Sequence, residues 1–165
     1  MTRLFCILLF SLLPWQHITA QEALTYGPSG LPIPRFVSLS ANKVNVRTGP
    51  GQQYPIEWVY VRRGYPVKVI AEYGNWRKIR DLDGTVGWIL HSLLSGRRMA
   101  VILDQPRLLY AQASTSAPPV LKAEEGVIGQ ILRCQKGWCQ LRISGLKGWI
   151  SQKYIWGSLH RESIN

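Results

Sequence analysis

Residues 36–98 contain short runs of β-branched and aromatic residues that are separated by turn-forming residues. No stretch of this region follows the 3.6-residue apolar period of an amphipathic helix. Runs of this composition, bounded by Gly, Pro and Asp, are typical of β-strands. The expected strands are Phe36–Ser40, Val44–Arg47, Glu57–Val61, Pro66–Tyr73, Trp76–Arg80 and Thr85–Leu90. A hairpin turn is expected at Asp81-Leu82-Asp83-Gly84, and the pattern as a whole favours a small all-β sandwich or barrel.

The chain contains an internal repeat. Gly74-Asn75-Trp76 aligns with Lys136-Gly137-Trp138, and Gly87-Trp88-Ile89 aligns with Gly148-Trp149-Ile150. Gly64 precedes the first block as Gly126 precedes the second, so the three offsets are 62, 61 and 62 residues. Landmarks at a nearly constant offset predict two modules of one fold, over residues 36–98 and 99–159, with a tail at 160–165. A module of about 60 residues is marginal alone, and packing between the two would stabilise both.

The first twenty residues have the features of a secretory signal. Arg3 precedes the uncharged run Leu4–Leu13, Pro14 ends that run, and Ile18-Thr19-Ala20 predicts cleavage after Ala20. Ten apolar residues are about half of what a membrane-spanning helix needs. We therefore expect a signal peptide over 1–20, a periplasmic or secreted protein, and no transmembrane segment after cleavage. A buried N-terminal helix is the alternative.

The next stretch, residues 21–35, is rich in Pro and Gly. It is short on strand formers, which predicts a flexible, extended tether. Within it, Leu31-Pro32-Ile33-Pro34-Arg35 favours a polyproline II conformation. Such a segment can also serve as an intramolecular ligand of the modules that follow.

The first module resembles the bacterial Src-homology-3 (SH3) domain. The resemblance rests on the following pieces in order: Val44-Asn45-Val46-Arg47-Thr48-Gly49-Pro50-Gly51, Tyr54-Pro55-Ile56, Gly64, Gly74-Asn75-Trp76, Gly87-Trp88-Ile89 and Ser92-Leu93-Leu94. The second module resembles a diverged copy, because Leu108-Leu109-Tyr110-Ala111-Gln112-Ala113 stands where Asn45–Pro50 stands in the first. The resemblance implies two SH3-like β-barrels in tandem, of five or six strands each. It also implies a non-catalytic module of exported proteins that often binds peptidoglycan or cell-wall peptides.

The chain is strongly basic, with 20 Lys and Arg against 9 Asp and Glu and a net charge of +11. This favours an anionic partner such as cell-wall polymer, phospholipid or nucleic acid. Export makes nucleic acid the least favoured of these. Three basic clusters could form a stripe toward wall polymer or lipid, although charge runs are usually solvated faces; they are Arg62-Arg63, Arg77-Lys78-Arg80 and Arg97-Arg98.

Two cysteines remain after signal cleavage, Cys134 and Cys139, on either side of Gln135–Trp138. An even count in an exported chain predicts a disulfide. The alignment of the modules places Glu72 opposite Cys134 and Arg77 opposite Cys139. One hairpin is thus expected to carry an exposed ion pair where the other carries a covalent bond. A redox site is disfavoured, because four residues separate the cysteines in a strand-rich segment.

The candidate ligand surface lies on the first module. Side chains alternate along a strand, and Trp76 stands three positions from the core candidate Ile79, so Trp76 and Lys78 are expected to face away from the core. With neighbouring aromatic and basic residues they would offer flat surfaces to a peptide or sugar. The ligand-binding candidates are Tyr54, Trp58, Tyr60, Trp76, Lys78 and Arg80. Packing between the modules is the alternative role of Trp76, whereas Trp88 and Trp149 are expected to close one end of each barrel's core.

The sequence offers no catalytic constellation, since no nucleophile, base and acid stand in plausible frames. No metal site is expected either: His91 and His160 lack ligand spacing, and the Asp81 turn lacks the Glu that closes a calcium loop. We therefore expect no cofactor and no enzyme. Two hypotheses stand: an exported protein that binds peptidoglycan or wall peptides, and a periplasmic or secreted adaptor or effector that binds segments of a protein partner.

Overall fold

The computed structural model describes residues 25–165, which form one short hairpin and two seven-stranded sheets. The hairpin pairs β1 (Thr25–Tyr26) with β2 (Pro32–Ile33). The first sheet consists of β3 (Arg35–Leu39), β4 (Val44–Arg47), β5 (Ile56–Tyr60), β6 (Pro66–Tyr73), β7 (Trp76–Arg80), β8 (Val86–Leu90) and β9 (Leu94–Ser95). The second consists of β10 (Met99–Ile102), β11 (Arg107–Tyr110), β12 (Pro119–Ala123), β13 (Ile128–Gln135), β14 (Trp138–Ile143), β15 (Leu146–Ser151) and β16 (Ile155–Trp156). The predicted all-β fold is confirmed.

The two sheets have the same topology. Their strand orders are β5-β4-β8-β7-β6-β3-β9 and β12-β11-β15-β14-β13-β10-β16, all pairs antiparallel. Irregularities in register fall at equivalent places, between Val46 and Arg47 in one and between Leu109 and Tyr110 in the other. A single 3₁₀ turn precedes the last strand of each, at His91–Leu93 and Gln152–Tyr154. The repeat read from the sequence is therefore a repeat of structure.

Each sheet encloses a hydrophobic cluster of its own. In the first module the apolar side chains that β4, β6, β7 and β8 direct to one face are fully buried, as strand alternation predicts when one face of a sheet is covered. Its cluster contains Val37, Leu39, Val44, Val46, Val67, Val69, Ile79 and Ile89. The second cluster contains Ala100, Ile102, Leu109, Ala123, Ile131, Cys134, Cys139, Leu141, Ile150 and Ile155. The core of the second module thus includes both cysteines.

The Gly-Trp-Ile motif has a steric cause. A Cβ on Gly87 would overlap Cγ1 of Val46, and one on Gly148 would lie 2.6 Å from Cβ of Leu109. The crossing of β4 over β8, and of β11 over β15, therefore requires glycine at that position. Because side chains alternate, Ile89 points to the same face as Gly87 and is fully buried in the core.

The segment before the first module differs from the predicted flexible tether over its described residues. Thr25 and Tyr26 pair with Ile33 and Pro32, and the turn between them docks on β6 through Glu72. The Glu72 carboxylate accepts hydrogen bonds from the backbone N–H of Ser29 at 2.9 Å and from its hydroxyl at 2.7 Å. Short sequences rich in Pro and Gly do not reveal such docking, because the anchoring carboxylate lies 43 residues away. The predicted signal peptide, 1–20, lies outside the described residues.

The last residues dock on the equivalent corner of the second module. Ile164 forms a bridge with Cys134, through hydrogen bonds of 2.8 and 3.0 Å between their backbones. Glu162 accepts two hydrogen bonds from Arg98, at 2.7 and 2.8 Å, and also accepts the backbone N–H of Leu159. Each module therefore has a terminal segment packed on its long central hairpin.

Three residues, 96–98, connect the two sheets. Across the boundary, the rings of Phe36 and Trp156 meet edge to face at 4.9 Å, and Nζ of Lys68 lies 5.6 and 5.2 Å from their centroids. Arg62 also donates a hydrogen bond of 2.6 Å to the carbonyl oxygen of Gly126. These contacts fix one module against the other through β3, β6 and β16.

Candidate functional site

Three of the six predicted ligand residues share one face of β7. Trp76, Lys78 and Arg80 alternate with the core residue Ile79, so they point to the outside of the first sheet, as predicted. Lys78 pairs with Trp88 on β8, and its Nζ lies 6.0 Å from the Trp88 ring. This outer face therefore carries two tryptophans and two cations side by side.

Trp58 and Tyr60 lie on the opposite side of the sheet. They pair with Val46 and Val44, whose side chains are fully buried, and both aromatic rings pack against the first core. The Tyr60 hydroxyl donates a hydrogen bond of 2.7 Å to Asp81. Burial, and then the hydrogen bond to Asp81, raises the pKa of Tyr60 and keeps its hydroxyl a donor. The structure does not bring these two residues together with Trp76, because strand alternation turns them inward.

Tyr54 occupies a third position, on the loop between β4 and β5. Its ring covers Gly49 so closely that a Cβ there would collide with it, and 40% of Tyr54 remains exposed. Arg47 holds this loop by donating hydrogen bonds to the carbonyl oxygens of Gln52 and Tyr54, at 3.0 and 2.7 Å. The Gly-Pro-Gly stretch thus shapes a loop whose aromatic tip is accessible.

The two tryptophans of the Gly-Trp-Ile motifs differ in burial. Trp88 pairs with Lys78, and Trp149 pairs with Gln140 and Tyr110, all on the outer face. Trp149 is 5% exposed, as expected of a core residue, and the guanidinium of Arg133 lies 4.8 Å from the centroid of its ring. Trp88 is only half-buried and lies outside the first core cluster, because the glycine of the motif occupies the inward position.

The second module has a groove between β11, β14 and the second 3₁₀ turn. Its cavity volume is about 350 Å³, and three aromatic residues line it: Tyr110, Trp138 and Tyr154. The rings of Tyr110 and Trp138 meet at 6.3 Å in an edge-to-face arrangement. Arg107 and Lys153 also line the groove, and none of its lining residues is acidic. This concave site combines flat apolar surfaces with positive charge.

Sequence reasoning placed the ligand site on the first module and missed this groove. Trp138 was recognised as the counterpart of Trp76, but Tyr110 lies in the segment where the first module's motif is absent. Where that motif is lost, Tyr110 takes the place of Arg47 beside the outer tryptophan. The only available signal was the aromatic residue at that aligned position.

The basic clusters do not form one continuous stripe. Arg77 points inward to Glu72, Arg98 is bound to Glu162, and Arg62 is bound to the carbonyl oxygen of Gly126. The remaining outward charges of the first module include Lys78 and Arg80 on β7. At least one arginine of each cluster is therefore engaged in contacts within the protein.

The predicted exchange of an ion pair for a disulfide is found at the predicted positions. Glu72 pairs with Arg77 across β6 and β7, and Cys134 pairs with Cys139 across β13 and β14 and is disulfide-bonded to it. The ion pair is not exposed as expected, since the Glu72 side chain is 1% exposed beneath the β1–β2 hairpin. Burial raises the pKa of Glu72, but the hydrogen bonds from Ser29 and Arg35 and the charge of Arg77 outweigh it and lower the pKa to about 2.

Among residues 25–165, no group of three or more His, Cys, Asp and Glu side chains is placed to hold a metal ion. Within the same range, none of the helical segments has the length and apolar character to cross a membrane.

The chain belongs to a known family. The sequence profile of the bacterial SH3 domain matches residues 40–96 and again residues 105–157, one match for each sheet. The resemblance read from the first module therefore holds, and the diverged second module is a member of the same family.

A curated relative is similar to both modules. The Bacillus subtilis (strain 168) protein named "Putative N-acetylmuramoyl-L-alanine amidase YrvJ" is 26% identical in an alignment of 128 positions that covers 71% of this chain and 24% of that protein. The chain thus spans about a quarter of the curated relative that it matches. Two solved structures are similar to it, NlpC1 and NlpC2 from Trichomonas vaginalis. Their TM-scores are 0.36 and 0.35, with 15% and 14% identity, and the matches cover 79% and 74% of this chain and 48% of each of theirs.

Proposed function

We propose that this chain is an exported, non-catalytic binding protein that recognises peptidoglycan or cell-wall peptides, and that the groove of the second module is its principal site. The observation that carries the proposal is the concave surface of about 350 Å³ lined by Tyr110, Trp138 and Tyr154. Ligand sites are typically concave and largely apolar, with a few polar groups that fix orientation. Aromatic rings there offer flat contact surfaces to peptide bonds, sugar rings and aliphatic side chains.

The family and its relatives support a role at the wall. The profile of the bacterial SH3 domain matches both modules, and the curated relative carries the name "Putative N-acetylmuramoyl-L-alanine amidase YrvJ". The shared part is 24% of that protein, which is consistent with a binding portion joined to a separate catalytic portion. We propose that the two modules of this chain bind the wall and do not themselves catalyse its hydrolysis.

The chemistry of the groove supports a non-catalytic role. Its aliphatic hydroxyl groups, on Thr115 and Ser151, have no histidine, carboxylate or cysteine among the lining residues, and among the described residues neither hydroxyl is hydrogen-bonded to Lys153. A hydroxyl nucleophile needs an adjacent base, and an acid for the leaving group, to hydrolyse an amide bond. Export is supported by the disulfide of Cys134 and Cys139, since disulfides persist in oxidising compartments.

The test is co-sedimentation of oxidised residues 21–165 with purified peptidoglycan sacculi, at low salt and at about 0.3 M salt. At the higher salt, charge interactions are screened within several ångströms. The proposal expects the protein to pellet with sacculi in both buffers. Pelleting that disappears at high salt would mean adsorption of a basic protein, and no pelleting at either salt would favour the rival hypothesis of a protein partner. Release of soluble muropeptides during the incubation would overturn the non-catalytic assignment.

Single substitutions locate the site. Trp138→Ala is expected to weaken pelleting at least tenfold, because it removes the central ring of the groove. Trp76→Ala tests the corresponding outer face of the first module, and a comparable loss there would show that both modules bind. Tyr26→Ala is the matched control, since Tyr26 is 79% exposed on the β1–β2 hairpin and does not line the groove. If Trp138→Ala folds and pellets like the wild-type protein, the groove is not the site.

A further inference from the structure

We propose that Arg107 and Lys153 form a carboxylate-binding site within this groove, and that it selects peptides that end in a free carboxylate. The inference rests on the proposed function, since it names the chemical group that the same groove recognises. Both cations line the groove together with Trp138 and Tyr110. A ligand can therefore place its carboxylate on the cations while its neighbouring side chain contacts the rings.

The two cations lie against a single aromatic ring. Cζ of Arg107 lies 3.8 Å from the centroid of the Tyr154 ring, and Nζ of Lys153 lies 4.7 Å from the same centroid. Cation–π attraction holds each of them there, and the two like charges, which are at most about 8.5 Å apart, repel each other. A negative group that contacts both cations reduces that repulsion.

Neither cation is neutralised by another side chain of residues 25–165. Among the described residues, no carboxylate is within ion-pair distance of Arg107 or Lys153. Nε of Arg107 is buried and has no hydrogen-bond partner, although buried donors in native proteins are nearly always paired. The hydrogen bond from Lys153, supported by the charges of Lys153 and Arg107, lowers the pKa of Tyr154, so negative charge is stabilised at this place.

The first module shows that the fold does not need these cations. Arg47 on β4 pairs with Trp88, and Tyr110 on β11 pairs with Trp149, so Arg47 and Tyr110 are equivalent. Three residues earlier on each strand, Arg107 is therefore equivalent to Val44. The two 3₁₀ turns align Lys153 and Tyr154 with Ser92 and Leu93. At these positions the first module has apolar or neutral residues, with Val44 fully buried and Leu93 packed on the core. The second module has replaced an apolar corner by two charges and a ring. Packing alone does not account for that replacement, because a buried, unpaired guanidinium nitrogen is costly.

The chemistry favours a carboxylate at a peptide end. The guanidinium group presents planar donors that match the two oxygens of a carboxylate, and the Lys153 ammonium adds a third contact. A volume of about 350 Å³ is near the lower end of the range for small-molecule sites, and therefore fits the end of a chain better than the middle of a polymer.

The experiment compares N-acetyl-D-alanyl-D-alanine with its C-terminal carboxamide, which differ in charge at one position. Binding to oxidised residues 21–165 is followed by ¹⁵N NMR titration, with the indole N–H of Trp138 as the reporter of the groove. The acid is expected to bind at least tenfold more tightly than the amide. Arg107→Val and Lys153→Ser install the residues of the first module, and each should reduce affinity for the acid at least fivefold while leaving that for the amide unchanged. Lys147→Ser is the matched control, because Lys147 is exposed and lies outside the groove.

Equal affinities for acid and amide, or no binding of either, would overturn the inference. An effect of Lys147→Ser as large as that of Lys153→Ser would also overturn it, since affinity would then depend only on the net charge of the protein.

The spectra of the variants must keep the dispersion of the wild-type spectrum, which shows that they are folded. Lys153 is exposed, so Lys153→Ser leaves the core untouched. Salt-resistant pelleting with sacculi but no preference for the acid would reject the inference and keep the proposed function. Preference for the acid without pelleting would reject the proposed function and keep the inference.

Discussion

Glu72 is joined to Ser29 by two hydrogen bonds, which fasten the β1–β2 hairpin to the first module across 43 residues of sequence. The same carboxylate accepts a hydrogen bond of 2.7 Å from Arg35 and lies 3.2 Å from Nε of Arg77. One buried side chain thus holds the hairpin, β3 and β7 together. The energetic consequence is a dependence of stability on pH.

Acid should weaken the first module through Glu72. Its pKa is about 2 in the folded protein against an ordinary 4.5, so the carboxylate contributes stability above pH 4.5 that is lost as the pH falls toward 2. At about 1.4 kcal/mol for each pKa unit, the loss between pH 6 and pH 3 is roughly 2 kcal/mol. Urea unfolding at the two pH values measures it.

Glu72→Gln provides the comparison for this prediction. The variant should be less stable at pH 6 by roughly 1–3 kcal/mol, because buried donors lose a charged acceptor. It should also lose less stability between pH 6 and pH 3 than the wild-type protein does. Parallel pH profiles for both proteins would show that other carboxylates cause the acid sensitivity.

Gly87→Ala should destabilise the first module by roughly 1–3 kcal/mol, the usual cost of overpacking a core. The added methyl group would overlap Val46 and lie 3.2 Å from the carbonyl oxygen of Arg47. Gly96→Ala is the control, because a Cβ at Gly96 has no atom within 4 Å. Thermal unfolding of both variants tests the claim, and equal midpoints for the two would refute it.

Reduction of the disulfide should destabilise the second module by about 2 kcal/mol, the loop-entropy contribution of a six-residue loop. Cys134 and Cys139 are 1% and 0% exposed, so the protein must be reduced while unfolded and then refolded. Urea unfolding with and without reductant measures the difference. A Cys134→Ala, Cys139→Ala variant should be insensitive to reductant, and a wild-type protein that is equally insensitive would contradict the prediction.

Trp156→Ala should uncouple the two modules. The substitution removes the ring that meets Phe36 at 4.9 Å and that lies beneath Lys68. Separate NMR correlation times for the modules, shorter than the common value of the wild-type protein, are the expected result. Tyr26→Ala is a suitable control, since Tyr26 is 79% exposed and belongs to the hairpin. A single, unchanged correlation time would mean that the remaining contacts suffice.

Much of the fold was predictable from local pattern. The strand β7 was expected at its observed bounds, Trp76–Arg80, because a run of strand formers stands between two turns. The pairing of Cys134 with Cys139 followed from their spacing around a turn and from the repeat. These features depend on neighbours in sequence or on a constant offset, which a single sequence displays.

The candidate site was less accessible, because it depends on which face of a strand a residue occupies and on contacts between distant strands. Trp58 looks like a surface aromatic in sequence, yet its partner Val46 places it on the core side. Arg107 and Tyr154 are 47 residues apart, and their stacking arises from the approach of β11 to the second 3₁₀ turn. Local periodicity carries no information on either relation.

The connection of only three residues between the sheets, together with the contact of Phe36 with Trp156, sets a fixed separation between equivalent surfaces. A repeating polymer presents its recognition units at intervals of its own. When the two spacings agree, the second contact forms at a high effective concentration and avidity multiplies two modest affinities; when they disagree, only one module is engaged at a time. Under the proposed function, the short linker therefore makes binding depend on the repeat length of the polymer. A longer linker would weaken this dependence and allow the two modules to bind units that are farther apart.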